Sequence, residues 1–275
     1  MSAAILASSH SPTPPLPAPR AFATLPADLD LDFNFDDRAA LVTRVLALCC
    51  VGDALPSEIR ETAAWNLPLS ARIARLLRIL ELTTAEGNLT VHQTCADPAC
   101  RQIFEFALPL EPLQRQAQES AAVDNVVRFP RENSAPFALR LPTGRDQASW
   151  RREHHENQAA ALNAIVRSLA IEPPDLPALS PEQLQPIAAA MGAADPLVAF
   201  RVHTACPHCR RTGEFDVDLE GIALRELERF RRAVLVDVHV LASQYGWSEA
   251  EVLAIPPRRR ADYRNLIAAR ERTLP

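Results

Sequence analysis

Two short cysteine loops, far apart in the chain, constrain this fold more than any other feature. Cys95 and Cys100 are spaced C-x4-C, Cys206 and Cys209 are spaced C-x2-C, and more than one hundred residues separate the pairs. The flanking segments match: VHQTCADPACRQIFEFALPLE (residues 91–111) against VHTACPHCRRTGEFDVDLE (residues 202–220). In each, a Val-His pair leads into the first Cys, three residues after the His. In each, the second Cys stands six residues before a Phe and ten before a Leu. Glu105 then matches Glu214, and Glu111 matches Glu220.

Loops of this spacing suit zinc, which takes thiolates in tetrahedral sets of four, usually from two loops. Only folding can unite the two pairs, and a duplicated strand–knuckle–strand would do so about a pseudo-twofold axis. One structural zinc held by Cys95, Cys100, Cys206 and Cys209 is therefore expected, adding directly to folding energy. His92, His203 and His208 are expected as neighbours of that site or as substitute ligands. Alternatives are four buried thiols without metal, the role expected of Cys49 and Cys50, a disulfide, or a degenerate site. The last is suggested by the longer first loop with Asp97 and Pro98. A catalytic zinc would need an open coordination position, and H-E-x-x-H is missing from the sequence.

The duplication sets the expected fold class: α+β, with a helix–helix–strand–knuckle–strand unit present twice and sharing a small sheet. The units span residues 38–111 and 156–220, with a β-hairpin inserted at 126–142. Together they make a zinc-stapled domain over residues 36–220, followed by a C-terminal helical segment, 221–275. Residues 1–35, with Pro at 12, 14, 15, 17, 19 and 26, read as a disordered tail. Within it DLDLDFNF (residues 28–35) alternates like a strand. Helices are predicted over 38–50 and from Pro68, where Ile73, Leu76, Leu77, Ile79 and Leu80 form one face. Others are predicted over 151–170, from Ser180, over 222–244, from Ser248 and over 257–272. Ser180/Gln183 and Ser248/Glu251 are capping boxes. Strands are predicted over 104–110 and 214–219, where alternate residues are apolar.

Composition excludes several function classes. All 29 basic residues are Arg, yet the net charge is −5, which argues against a general nucleic-acid binder. With seven glycines the chain has no Gly-rich phosphate loop. No G-x-S-x-G nucleophile elbow occurs. His154 and His155 would point about 100° apart on a helix and could not chelate one metal. The start of the sequence lacks a secretory signal, and no apolar run has the roughly 20 residues of a membrane span. A cytoplasmic protein with reduced thiols is expected.

LPLSARIARLLRIL (residues 67–80), a cysteine knuckle and then F-E-F-x-L-x-L (residues 104–110) resemble the T-even-type phage baseplate hub assembly protein family. That family also occurs with phage-tail-like contractile injection systems. The stretch VHVLASQYGWSEAEVLAIPPRRRADYRNLI (residues 238–267) is the more specific match. It carries Tyr245, Trp247, Ser248, Glu251, Val252, Leu253, Arg259 and Tyr263 at family-like positions. ACPHC (residues 205–209) and LRLPTGRDQA (residues 139–148) match as well. The resemblance covers residues 38–270 and departs at the first, longer knuckle.

It implies a non-enzymatic assembly factor or structural subunit of a baseplate hub, acting in the bacterial cytoplasm through protein contacts. Baseplate or hub proteins are the expected partners, with no small-molecule substrate and no membrane. Tyr245, Trp247, Arg259 and Tyr263 are expected to bind the partner, since aromatics and Arg are common interface anchors. The same aromatics could instead pack the terminal helices together. The competing class is a zinc-ribbon regulatory or nucleic-acid adaptor that uses Arg258, Arg259 and Arg260.

Overall fold

The computed structural model describes residues 14–52, 55–121, 125–130, 136–172 and 177–273. A one-turn helix α1 (Pro26–Leu29) and a 3-10 turn (Phe35–Asp37) lead into α2 (Arg38–Leu48), α3 (Ser57–Asn66) and α4 (Leu69–Thr84). The first hairpin follows, β1 (Asn88–Thr94) and β2 (Ile103–Pro109), then α5 (Leu110–Ala121). β3 (Val126–Phe129), β4 (Phe137–Arg140), α6 (Gly144–Trp150), α7 (Gln158–Leu169), β5 (Ala170–Glu172) and α8 (Pro181–Ala194) form the middle of the chain. The second hairpin is β6 (Arg201–Ala205) and β7 (Thr212–Asp216), followed by α9 (Leu219–Tyr245), α10 (Glu249–Ala254) and α11 (Pro257–Thr273). The class is α+β.

The main core lies between α2, α4 and α9. The Asp37 side chain caps α2 by accepting from the Ala40 N–H at 3.1 Å, and Leu41, Val45 and Leu46 of that helix are fully buried. α4 turns Ile73, Leu76, Leu77, Ile79 and Leu80 inward, the face expected from their spacing. α9 closes the core with Ala223, Leu224 and Leu227. Asp218 caps its start and Gly246, at φ 69°, ends it in a left-handed conformation that glycine adopts without strain. The first half of α9 therefore belongs to the central body, and the helical segment expected over 221–275 begins inside that body.

The reading of residues 1–35 as a disordered tail is corrected over residues 14–35. Phe22, Leu29 and Leu31 are buried in the main core. Buried Asp28 accepts two hydrogen bonds from Arg20, each at 2.7 Å, and others from the Thr24 and Leu25 N–H groups. The Arg231 Nε donates to the Leu29 carbonyl at 2.7 Å. Burial of these apolar side chains offsets the ordering entropy, which proline already lowers in the unfolded chain. Residues 29–35 alternate inward and outward as the pattern suggested, but pair with no strand. Residues 1–13 lie outside the described residues.

A second, smaller core packs α7 and α8 on the antiparallel sheet β3–β4–β5. The hairpin expected at 126–142 is present, with Phe129 opposite Phe137 and their rings stacked at 4.8 Å. β5 and α5 were not anticipated. The helix expected over 151–170 starts only at Gln158, because the Asn157 side chain caps it by accepting from the Ala160 N–H at 2.9 Å. His154 and His155 thus precede the helix, and their expected helical geometry does not apply. Both capping boxes form as spaced, at Ser180/Gln183 and at Ser248/Glu251.

The two cysteine hairpins match in register. Val91 pairs with Phe106 and His92 with Glu105, while Val202 pairs with Phe215 and His203 with Glu214. They form two separate two-stranded sheets, which corrects the expected shared sheet. Helices α2, α3 and α4 lead into the first hairpin, and α7, β5 and α8 precede the second, so the close correspondence is confined to the hairpins.

Candidate metal centre

Each hairpin closes in a tight knuckle that carries two cysteines. The Cys95 N–H donates to the Gln102 carbonyl at 3.0 Å, and the Cys206 N–H to the Arg211 carbonyl at 2.9 Å. The residue after each second Cys is left-handed, Arg101 at φ 47° and Arg210 at φ 63°. In the longer loop, the Asp97 carbonyl accepts from both the Cys100 and Arg101 N–H groups at 3.0 Å. The Asp97 side chain accepts from the Ala99 N–H at 3.1 Å and pairs with Arg211 of the other knuckle at 3.0 Å. The two extra residues are thereby absorbed into a turn that still presents Cys95 and Cys100 together.

The knuckles meet tip to tip. Cys95 faces Cys209 at 3.6 Å and Cys100 faces Cys206 at 3.9 Å, the exchange expected of a local twofold. All four sulfurs lie within 4.8 Å of one another, and all four cysteines are free. A zinc–sulfur bond of about 2.3 Å in tetrahedral geometry puts neighbouring sulfurs about 3.8 Å apart. The donor set therefore fits one tetrahedral, thiophilic ion. Beneath the sulfurs, Phe104 and Phe215 meet edge to face at 5.5 Å and close the apolar floor. The Gln93 side-chain amide also donates to the Asp216 carbonyl at 2.9 Å, tying hairpin to hairpin.

The backbone environment already favours negative charge at one sulfur. Removal from water opposes it, but the Cys209 and His208 N–H groups pull the Cys206 thiol down to about 7. At Cys95 the Asp97 N–H favours the thiolate, yet burial and the crowding sulfurs push the thiol up to about 12. Four adjacent thiols cannot all ionise by themselves; a divalent ion would supply the compensating charge.

His92, His203 and His208 are exposed and take no place among the gathered ligand atoms. His92 instead lies across the strand pair from Glu105, 3.9 Å away. The residues sequence reasoning undervalued are Asp97 and Arg211, which organise and bridge the knuckles. Their signal was Asp97 itself, treated only as a departure from the tighter loop.

At the far C-terminal end, Tyr245, Trp247 and Tyr263 come together as one ring cluster. Tyr245 stacks on Trp247 at 4.6 Å, and Tyr263 meets both edge-on at 5.8 and 5.2 Å. Tyr245 is 42% exposed, so one side of the cluster is open to solvent. Arg258 and Arg259 are exposed, whereas Arg260 turns inward to Asp237 at 3.5 Å. Among the described residues no helix is long and apolar enough to cross a membrane. No family model matches this chain, and neither does any curated protein or solved structure.

Proposed function

We propose that the chain is a non-enzymatic assembly factor or structural subunit of a contractile phage tail or injection-system baseplate hub. It works through protein–protein contacts on a scaffold stapled by one zinc ion. The observation that carries the scaffold reading is the closed set of four sulfurs, all within 4.8 Å. A zinc ion with four thiolates has no position left for substrate, which is the signature of a structural site. The ion would supply a cross-link between hairpins that otherwise share only Phe104–Phe215, Gln93–Asp216 and Asp97–Arg211 among their named contacts. The hub assignment rests on the resemblance of residues 67–80, 104–110 and 238–267 to that family. The partly open Tyr245–Trp247–Tyr263 cluster, with exposed Arg259 one turn before Tyr263 on α11, supports a docking role, because Trp, Tyr and Arg are common interface anchors. The site of action is the bacterial cytoplasm during assembly.

The test is native mass spectrometry of the tagged full chain captured from cells producing its own tail genes. One zinc per chain and a co-purifying hub or baseplate subunit are expected. Trp247→Ala should keep the zinc and lose the subunit. Recovery of nucleic acid in place of a tail subunit, with steep salt dependence, would move the assignment to an adaptor.

A further inference from the structure

The second core contains a cavity of about 270 Å³ between β4, α6, α7 and α8. It shares no lining residue with the cysteine cluster. Leu139, Trp150, Ile165, Ile187 and Met191 are among its walls, and the lining is almost wholly apolar. The polar atoms of the lining side chains are taken or sealed off. The Trp150 Nε1–H donates to Ser168 Oγ at 3.0 Å, which leaves the rings for the cavity. Asp195, the charged residue of the lining, is 3% exposed. Its Oδ1 accepts from the Ser70 N–H at 3.0 Å and its Oδ2 is buried, so the acid belongs to the joint between α4 and the end of α8. The cavity meets solvent past α8, where Val198 is 45% exposed.

The frame around the cavity keeps its walls apart. Asn163 of α7 donates to the Leu179 carbonyl at 2.9 Å and accepts from the Leu179 N–H at 2.7 Å. That exchange fixes α7 against the segment that enters α8, while Ala188 and Gly192 keep the facing wall of α8 short. Wall atoms beside such a space lack neighbours on one side, and an apolar ligand would supply them. A charged or strongly polar group brought in would lose its hydration and find no donor or acceptor on these walls. A cavity of about 150 Å³ already admits benzene, so this one has room for a ring with a short chain. We propose that this cavity is a binding site for a small uncharged, hydrocarbon-rich ligand, such as an alkyl-substituted ring, held by shape and apolar contact alone.

Gly192 supplies a clean control. It lines the cavity from within α8, and a Cβ built there meets nothing within 4 Å. Gly192→Leu should therefore fill the space without disturbing the fold. Its melting temperature should be no lower than the parent's, since leucine is the better helix former.

The experiment is calorimetric titration of the full chain with butylbenzene and its charged relatives 3-phenylpropylamine and 3-phenylpropanoate, with tryptophan fluorescence read in parallel. Butylbenzene should bind saturably with one site per chain and shift the emission as it reaches Trp150. Both charged relatives should bind at least about tenfold more weakly, because neither charge finds a partner inside. Gly192→Leu should abolish butylbenzene binding. No saturable binding of butylbenzene, a charged relative binding as tightly, or unchanged binding in Gly192→Leu would overturn the assignment. Absent butylbenzene binding together with loss of tail-subunit capture in Gly192→Leu would instead give the cavity to a partner's side chain. The comparison among ligands on the unaltered chain decides even if Gly192→Leu fails to fold.

Discussion

Arg72 shows how much one residue can organise. It is 0% exposed, and its guanidinium donates to the Ala64 carbonyl at 2.7 Å, the Ala39 carbonyl at 2.8 Å and Thr43 Oγ1 at 3.0 Å. It also lies over the Trp65 ring at 5.4 Å. Burial lowers its pKa to about 10, against the pull of Glu220, so it stays charged at neutral pH. It thus joins α2, α3 and α4 through charge-assisted hydrogen bonds to two backbone carbonyls and a buried hydroxyl. Arg72→Met should cost about 2–4 kcal/mol in urea unfolding, because three buried charge-assisted hydrogen bonds are lost together. Gly144→Ala should also destabilise, since its Cβ would fall 2.3 Å from Arg72 Nη1. Neither role shows in the sequence, where Arg72 is one arginine of an amphipathic helix. At the metal site, Cys95→Ser or Cys206→Ser should each abolish stoichiometric zinc in native mass spectra. Acidification should release the metal as the thiolates protonate.

At the scale of elements, the stretch from Pro14 to Asp37 behaves as a strap. It ties to α4 through the Phe22 N–H on Thr83 Oγ1 at 2.8 Å, and to α9 through Arg231 on Leu29. Its turn is held by buried Asp28, four of whose hydrogen bonds come from within the strap itself. Deleting residues 1–35 removes Phe22, Leu29 and Leu31 from the main core, and the truncated chain should unfold at clearly lower urea than the full one. Asp28→Ala should reproduce much of that loss, leaving Arg20 without its partner. Helix boundaries were legible where a local cap marks them, as at Ser180 and Ser248. They were misjudged at residues 151–157, where the polar run before the Asn157 cap is helix-compatible but lies outside the cap.

For the whole molecule, the hairpin tips and the Arg38–Asp218 pair are two of the long-range ties. Arg38, at the start of α2, donates to both Asp218 oxygens at 3.0 and 2.7 Å, while Asp218 caps α9. Burial works against the Asp218 anion, but Arg38 and the Gly221 N–H hold its pKa below the usual carboxylate value. The sign follows: the folded form binds this proton less readily than the unfolded one. The pair's stabilisation is therefore present above about pH 4 and lost as pH falls through the depressed value. Asp218→Asn should lower stability at neutral pH and narrow the gap to the parent in acid, checked by thermal melts from pH 7 to 3. Chelation should lower the melting temperature of the parent chain but not that of Cys206→Ser.

The pattern of residues along the chain determined the two cysteine loops, the strand register around each knuckle, the apolar face of α4 and the two capping boxes. Each depends on spacing within a few residues, and hydrogen bonds or periodicity at that range act before any tertiary contact. Tertiary structure alone decided that the strap is ordered, that the hairpins stay as two sheets, and that α9 belongs to the core. It alone placed Arg72 on carbonyls of two other helices and buried Asp195 against the Ser70 N–H. Those outcomes rest on burial shared between segments remote in sequence, and no local pattern records which surface a residue will find.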